Sequence, residues 1–181
     1  GSMLSTYAVP KNLITRTELG SAANTVTFSG IPQTYDHLEV SMYAQSDEDV
    51  SVQRGISVQF NADTGTNYNS QRLDGAGTDV SAATSTGDTS LQNILGVTGD
   101  NGLANVFSPN SMTVYNYTKT DRHKHVLTLA GMDDDRIRLG SGRWAATAAV
   151  TSIVLTCDGS GEFAAGSVFT LRGIHSTAPA A

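Results

Sequence analysis

Apolar and polar side chains alternate along this chain in short runs, and Gly, Asn, Ser, Thr or Pro interrupts them at intervals of about 8 to 12 residues. Leu13, Thr15 and Thr17 alternate with Ile14, Arg16 and Glu18, and Thr25 to Phe28 follows the break at Gly20-Ser21-Ala22-Ala23. Gly30-Ile31-Pro32-Gln33-Thr34-Tyr35 makes a rigid corner into a half-buried strand carrying Leu38, Val40, Met42 and Ala44. Ser51 to Leu73 predicts a strand, a tight turn at Asn61-Ala62-Asp63-Thr64-Gly65 and a second strand, together a long hairpin. Ser111 to Tyr117 pairs with His123 to Ala130 through a turn at Thr118 to Asp121. Arg136 to Trp144, Val150 to Cys157 and Ser167 to Ile174 supply the last strands.

Two stretches break the pattern. Gly75 to Thr89 has almost no apolar anchor except Val80 and reads as a long, mobile loop, while the spacing of Leu91, Ile94, Leu95 and Val97 fits either a helical turn or a strand. Some eight to ten short strands without a long helix predict an all-β fold, an antiparallel jelly-roll-like β-sandwich. Residues 4–175 read as one such domain, 1–3 as the remnant of an expression tag and 176–181 as a loose tail. The expected core is Leu38, Val40, Val58, Phe60, Leu127, Leu129, Ile153, Leu155, Phe169 and Leu171.

Composition supports this reading and narrows the function. Only 15% of the 181 residues are charged, against about 25% in an average domain, and 18 are Gly. A formal charge of −6 repels phosphate backbones, so nucleic acid is not an expected partner. The small cluster Arg136, Arg138 and Arg143 follows Asp133-Asp134-Asp135, which neutralises it. Cys157 is the single cysteine, which excludes an internal disulfide and fits folding in reducing cytoplasm as a small buried thiol. No apolar run approaches the roughly 20 residues of a spanning helix, so membrane insertion is not expected.

Candidate chemistry is thin. Asp63-Thr64-Gly65 has the composition of an aspartic-protease tripeptide but occurs once, where a tight turn selects the same residues. His123 and His125 share one strand face and are weak metal candidates that lack a clear third ligand; Leu127 and Leu129 continue that face inward. Asp133-Asp134-Asp135 and Asp47-Glu48-Asp49 match no ordered calcium-loop spacing and read as exposed turns. No catalytic signature and no cofactor motif is present. Tyr68, Tyr115, Tyr117 and Trp144 are candidates for an aromatic platform contacting a glycan or a protein partner.

Four blocks carry a resemblance: Val26-Thr27-Phe28-Ser29-Gly30-Ile31-Pro32-Gln33-Thr34-Tyr35, Phe60-Asn61-Ala62-Asp63-Thr64-Gly65-Thr66-Asn67-Tyr68, Thr151-Ser152-Ile153 and Phe169-Thr170-Leu171-Arg172-Gly173-Ile174. In order and spacing they resemble the recurring blocks of tailed-bacteriophage virion structural proteins, over roughly Leu19 to Ile174. Ala62 and Arg172 stand where that pattern leads one to expect a glycine and an aromatic residue. The resemblance implies a non-enzymatic virion component: a capsid decoration (cement) protein, or alternatively a receptor- or glycan-binding module of a tail fibre. It further implies contacts with other virion proteins, such as the major capsid protein, and symmetric self-assembly, with a trimer favoured.

Overall fold

Short alternating runs with turn residues between them have no way to bury an apolar face except by pairing edge to edge and stacking. The computed structural model, which describes residues 11–48, 53–100, 105–132 and 135–176, realises this with twelve strands and no helix among the described residues. They are β1 (Lys11–Glu18), β2 (Thr25–Phe28), β3 (His37–Ser46), β4 (Gln53–Phe60), β5 (Tyr68–Ala76), β6 (Asp79–Asp88), β7 (Leu91–Gly99), β8 (Ser108–Tyr115), β9 (Lys124–Met132), β10 (Arg136–Trp144), β11 (Ile153–Cys157) and β12 (Val168–Ile174). One antiparallel sheet runs β1-β12-β3-β8-β9-β10-β5-β6, and a smaller one runs β2-β11-β4-β7. The end of β3 joins them, because Gln45 and Ser46 pair in parallel with Thr98 and Gly99 of β7. The fold is the jelly-roll-like β-sandwich expected from the periodicity.

The core lies between the sheets. Phe28, Ile153 and Phe60 line up across β2, β11 and β4, and Val26, Leu155 and Val58 form the next row. Leu38, Val40, Met112, Val114, Val126, Phe169 and Leu171 face them from the larger sheet. Eight of the ten expected core residues are buried here. Leu127 and Leu129 are not: they are 55% and 45% exposed, and their neighbours Lys124, Val126, Thr128 and Ala130 point inward instead.

The reason for that reversal is β7. It pairs with β4 on one side, but only its last two residues meet β3 on the other, so most of that edge faces the larger sheet. Its backbone is satisfied there by side chains. Ser70 donates to Gln92 O at 3.3 Å, Thr128 to Ile94 O at 2.6 Å and Arg138 to Leu95 O at 3.1 Å. Gly96 N donates to Asn110 Oδ1 at 3.1 Å and Thr98 N to Ser108 Oγ at 2.8 Å. With polar residues of β5, β8, β9 and β10 turned inward for this task, strand parity turns Leu73, Leu127, Leu129, Ile137 and Leu139 outward.

Three further expectations change. The stretch from Gly75 to Thr89 is a strand hairpin, with β6 paired along its length to β5; it lacks apolar anchors because it is an exposed outer strand. The region from Leu91 to Val97 is a strand, bent where Asn93 takes φ 51°. The expected hairpin between β4 and β5 is instead an arch between sheets, since β4 already has β11 and β7 as neighbours and β5 has β10 and β6. Asn61 and Ala62 make the turn with φ 54° and 53°, closed by Asp63 N donating to Phe60 O at 2.9 Å. Residues 1–3 and 177–181 lie outside the described residues, as do Ser51 and Val52.

Two substitutions test this framework by urea unfolding. A Cβ at Gly140 would stand 2.3 Å from Thr128 Oγ1 and 2.8 Å from Ile94 O, so Gly140→Ala should push β7 off the larger sheet and destabilise by roughly 1–3 kcal/mol. Ala62→Gly removes a Cβ from a left-handed turn position and should stabilise by about 1 kcal/mol.

Candidate docking face

Outward residues of the larger sheet fall into rows set by strand register. One row reads Tyr43, Pro109, Gly131, Ile137, Gly75, Val80 across β3, β8, β9, β10, β5 and β6. The next reads Ser41, Ser111, Leu129, Leu139, Leu73, Ala82. Over these six strands neither row contains an Asp, Glu, Lys or Arg; beyond β3 the rows continue through Val168 and Thr170 of β12 to Glu18 and Arg16 at the β1 edge. Tyr43, Val80, Leu129, Ile137 and Leu139 are each between 45% and 73% exposed. Where Gly131 contributes no side chain, Tyr43, Pro109, Leu129, Ile137 and Val168 border a groove of about 500 Å³.

The charges that parity would usually send outward are inside. Arg138 pairs with Asp74 at 2.5 Å, and Asp74 also accepts from Arg72 at 2.9 Å. The expected basic cluster of Arg136, Arg138 and Arg143 therefore does not form a patch: Arg138 is buried and paired to Asp74. Lys124 is fully buried, donating to the carbonyls of Lys119, Arg122 and Thr147 at 2.6, 3.0 and 3.0 Å, and burial holds its ammonium below the usual lysine range. A buried charge satisfied by three carbonyls fixes the phase of β9, and so sends His125, Leu127 and Leu129 out.

The aromatic platform is not at the surface. Tyr68 and Tyr117 are fully buried and Trp144 is 2% exposed; only Tyr115 is outward, edge-on to His37 with ring centres 5.3 Å apart. Tyr68, Trp144 and Phe60 pack together in the core, and desolvation pushes the Tyr68 hydroxyl up to about 12. Tyr68 OH accepts from Phe60 N at 3.1 Å and lies 3.2 Å from the carbonyls of Phe60 and Asp63. The hydroxyl of Tyr117 donates to Pro32 O. Each polar handle closes a turn, which is the reason these aromatics tolerate burial.

Asp63-Thr64-Gly65 is the arch between β4 and β5. Asp63 accepts from Trp144 Nε1 at 2.7 Å, Gly65 N at 2.8 Å and Asn67 Nδ2 at 2.9 Å, and these bonds, Trp144 foremost, hold its carboxyl below the usual range. His123 and His125 are both exposed, His125 opposite Tyr115 and Arg143. Among the described residues no three His, Cys, Asp or Glu side chains gather closely enough to hold a metal ion. Glu48, expected in an exposed turn, is buried with Arg54 as its ion-pair partner, and Asp47 accepts from Glu162 N at 2.8 Å. Asp49, Asp133 and Asp134 lie outside the described residues. Cys157 is buried, and desolvation pushes its thiol to about 11. The missed feature is the face itself; its signal was the string of charges at alternate positions, Arg72, Asp74, Lys124 and Arg138, out of phase with the leucines.

No family model matches the chain, and no curated protein matches it. Among solved structures it is similar to an exo-inulinase from Aspergillus awamori (TM-score 0.41, 12% identity, 92% of this chain and 30% of that one). It is also similar to a mutant alginate lyase in complex with alginate tetrasaccharide (TM-score 0.31, 9% identity, 90% and 81%) and to a human SPRY domain (TM-score 0.26, 10% identity, 87% and 96%). The chain spans under a third of the inulinase, and with TM-scores below 0.5 none of these likenesses bears on what it does.

A carboxylate held below its ordinary range stabilises the fold above about pH 4 and loses that contribution as pH falls through the lowered value. Asp63→Asn should therefore cost about 1 kcal/mol at pH 7 and flatten the decline in stability below pH 4, measured by urea unfolding from neutral into acid.

Proposed function

We propose that this chain is a non-enzymatic structural protein of a tailed-phage virion, a decoration (cement) protein that binds the head and reinforces it. The observation that carries the reading is the outward face of the larger sheet: two adjacent rows that carry no formal charge across the six strands from β3 to β6 and are rich in Leu, Ile, Val and Tyr. Exposed apolar area of this kind marks a protein contact surface. The block resemblance supplies the class of assembly, and the face supplies a physical means of joining it.

Its partners in this reading are copies of itself and other virion proteins, the major capsid protein first. The chain folds in the host cytoplasm and works in the virion, where a lone cysteine shielded by burial withstands an oxidising exterior. The tail-fibre reading drew on Tyr68, Tyr115, Tyr117 and Trp144, of which Tyr115 alone is outward, so nothing favours it over the head.

Mass spectrometry of purified parent particles should find the chain at a fixed ratio to the major capsid protein. Particles made without it should release their DNA at a lower temperature. Its absence from particles would overturn the reading.

A further inference from the structure

We infer that two copies of this chain pair face to face through the larger sheet, about a two-fold axis parallel to the strands and midway between β10 and β5. The inference rests on the assembly role proposed above and specifies one of its contacts. It replaces the three-fold association that the resemblance implied.

The register makes the face complementary to itself. A two-fold axis between β10 and β5 lays β6 over the partner's β9 and β5 over the partner's β10, keeping each row on its own row. In the first row the most exposed apolar side chain, Val80, at 73%, then meets the gap above Gly131, and Ile137 meets Gly75. In the second row Leu129 meets Ala82, and Leu139 meets Leu73. Large faces small in three of these four pairings, and the fourth sets two leucines together. The bare backbone of Gly131, at the β9 rim of the groove, is the socket and Val80 the knob, three strand spacings or about 14 Å apart on one row, so one rotation seats both knobs.

Charge and area agree with a second copy as the occupant. Copies of net charge −6 repel one another, and an uncharged face is where like-charged molecules meet at least cost. Arg143, in an outer row, falls opposite Asn69 and not opposite its own copy. Four strands by four rows give on the order of 500 Å² of flat face per copy, and side-chain relief brings this toward the roughly 600–800 Å² per partner at which specific interfaces begin. Aligned sheets packed about 10 Å apart would turn the outward leucines into a second core.

Sedimentation equilibrium of the full chain from 1 to 100 μM should return a mass of two chains, and Leu139→Glu should weaken pairing at least 100-fold with an unchanged circular dichroism spectrum. Register is tested by treating a mixture of Val80→Cys and Gly131→Cys with a bismaleimide whose reach matches the roughly 10 Å between packed sheets, with buried Cys157 outside the reaction. The mixture should form a crosslinked pair, and Val80→Cys alone should not, because the two residues 80 would sit about 14 Å apart across the strands in addition to the roughly 10 Å between the sheets, beyond that reach. A mass of one chain at 100 μM, a mass of three, or linkage of Val80→Cys to itself would each overturn the pairing. None of these results depends on whether the chain occurs in particles, so a monomer found at a fixed ratio in virions would sink this inference and leave the virion role standing.

Discussion

An edge strand turned toward another sheet instead of toward water must find hydrogen-bond partners that the sheet does not ordinarily offer. In this fold that strand is β7, and five side chains from β5, β8, β9 and β10 supply what a neighbouring strand would have. Each unmet group would cost about 1–3 kcal/mol in the interior, so the inward positions opposite β7 have to be Ser, Thr, Asn or Arg. The rest of the larger sheet follows from that requirement. Ionic residues follow inward: Asp74 anchors Arg138, which reaches Leu95 O, and Arg72 in turn pairs with Asp74. Period two then leaves the alternate residues of four strands on the outside. Parity decides which residues go out, but it does not require them to be leucine; a face serving only as solvent boundary would carry Thr, Lys or Glu there.

This is also where the sequence is legible and where it stops being so. Period-two alternation and turn spacing identified β1 to β5 and β8 to β12, most clearly β2 to β4, β8, β9, β11 and β12, which carry apolar residues on their buried side. The same rule assigned the wrong face to Leu127 and Leu129, since alternation sets the two faces apart without saying which is inner. Lys124 holds the answer: a lysine satisfied by three loop carbonyls is cheaper to bury than its position suggests, and its phase overrides that of two leucines. β6 escaped notice for the opposite reason. Its residues are small and polar because it covers nothing, and backbone pairing to β5 alone makes it a strand.

The blocks that carry the family resemblance are packing units, which explains why no reactive site could be read from them. Asn61 accepts from Thr151 N at 2.8 Å and donates to Ala149 O at 2.7 Å, joining the second block to the third. Ile31 N donates to Thr151 O at 3.1 Å and Gln33 donates to Val150 O at 3.0 Å, bringing in the first. The Tyr35 ring lies on Gly173, where a Cβ would stand 2.2 Å from it, and so ties the first block to the fourth. Tyr68 and Trp144 belong to the same economy: their hydroxyl and indole nitrogen brace the arch at Asp63. Such residues specify how the sandwich closes, and the outer face is free to vary without disturbing them.

Association through a face is consistent with how the edges are built. Exposed edge strands invite uncontrolled lateral pairing, and proteins blunt them with short length, irregularity or charge. β2, at one edge, has four residues. β6, at another, is long but bounded by Asp79 and Asp88, and its register with β5 slips between Tyr68 and Asn69, next to Gly87 with φ 69°. Its own outward side chains are small except Val80. Lateral growth into open sheets is thus discouraged at the same strand that offers an apolar knob on the face. Where edges are guarded and a face is left apolar, the pairing inferred above is the kind of association that closes after one step instead of propagating.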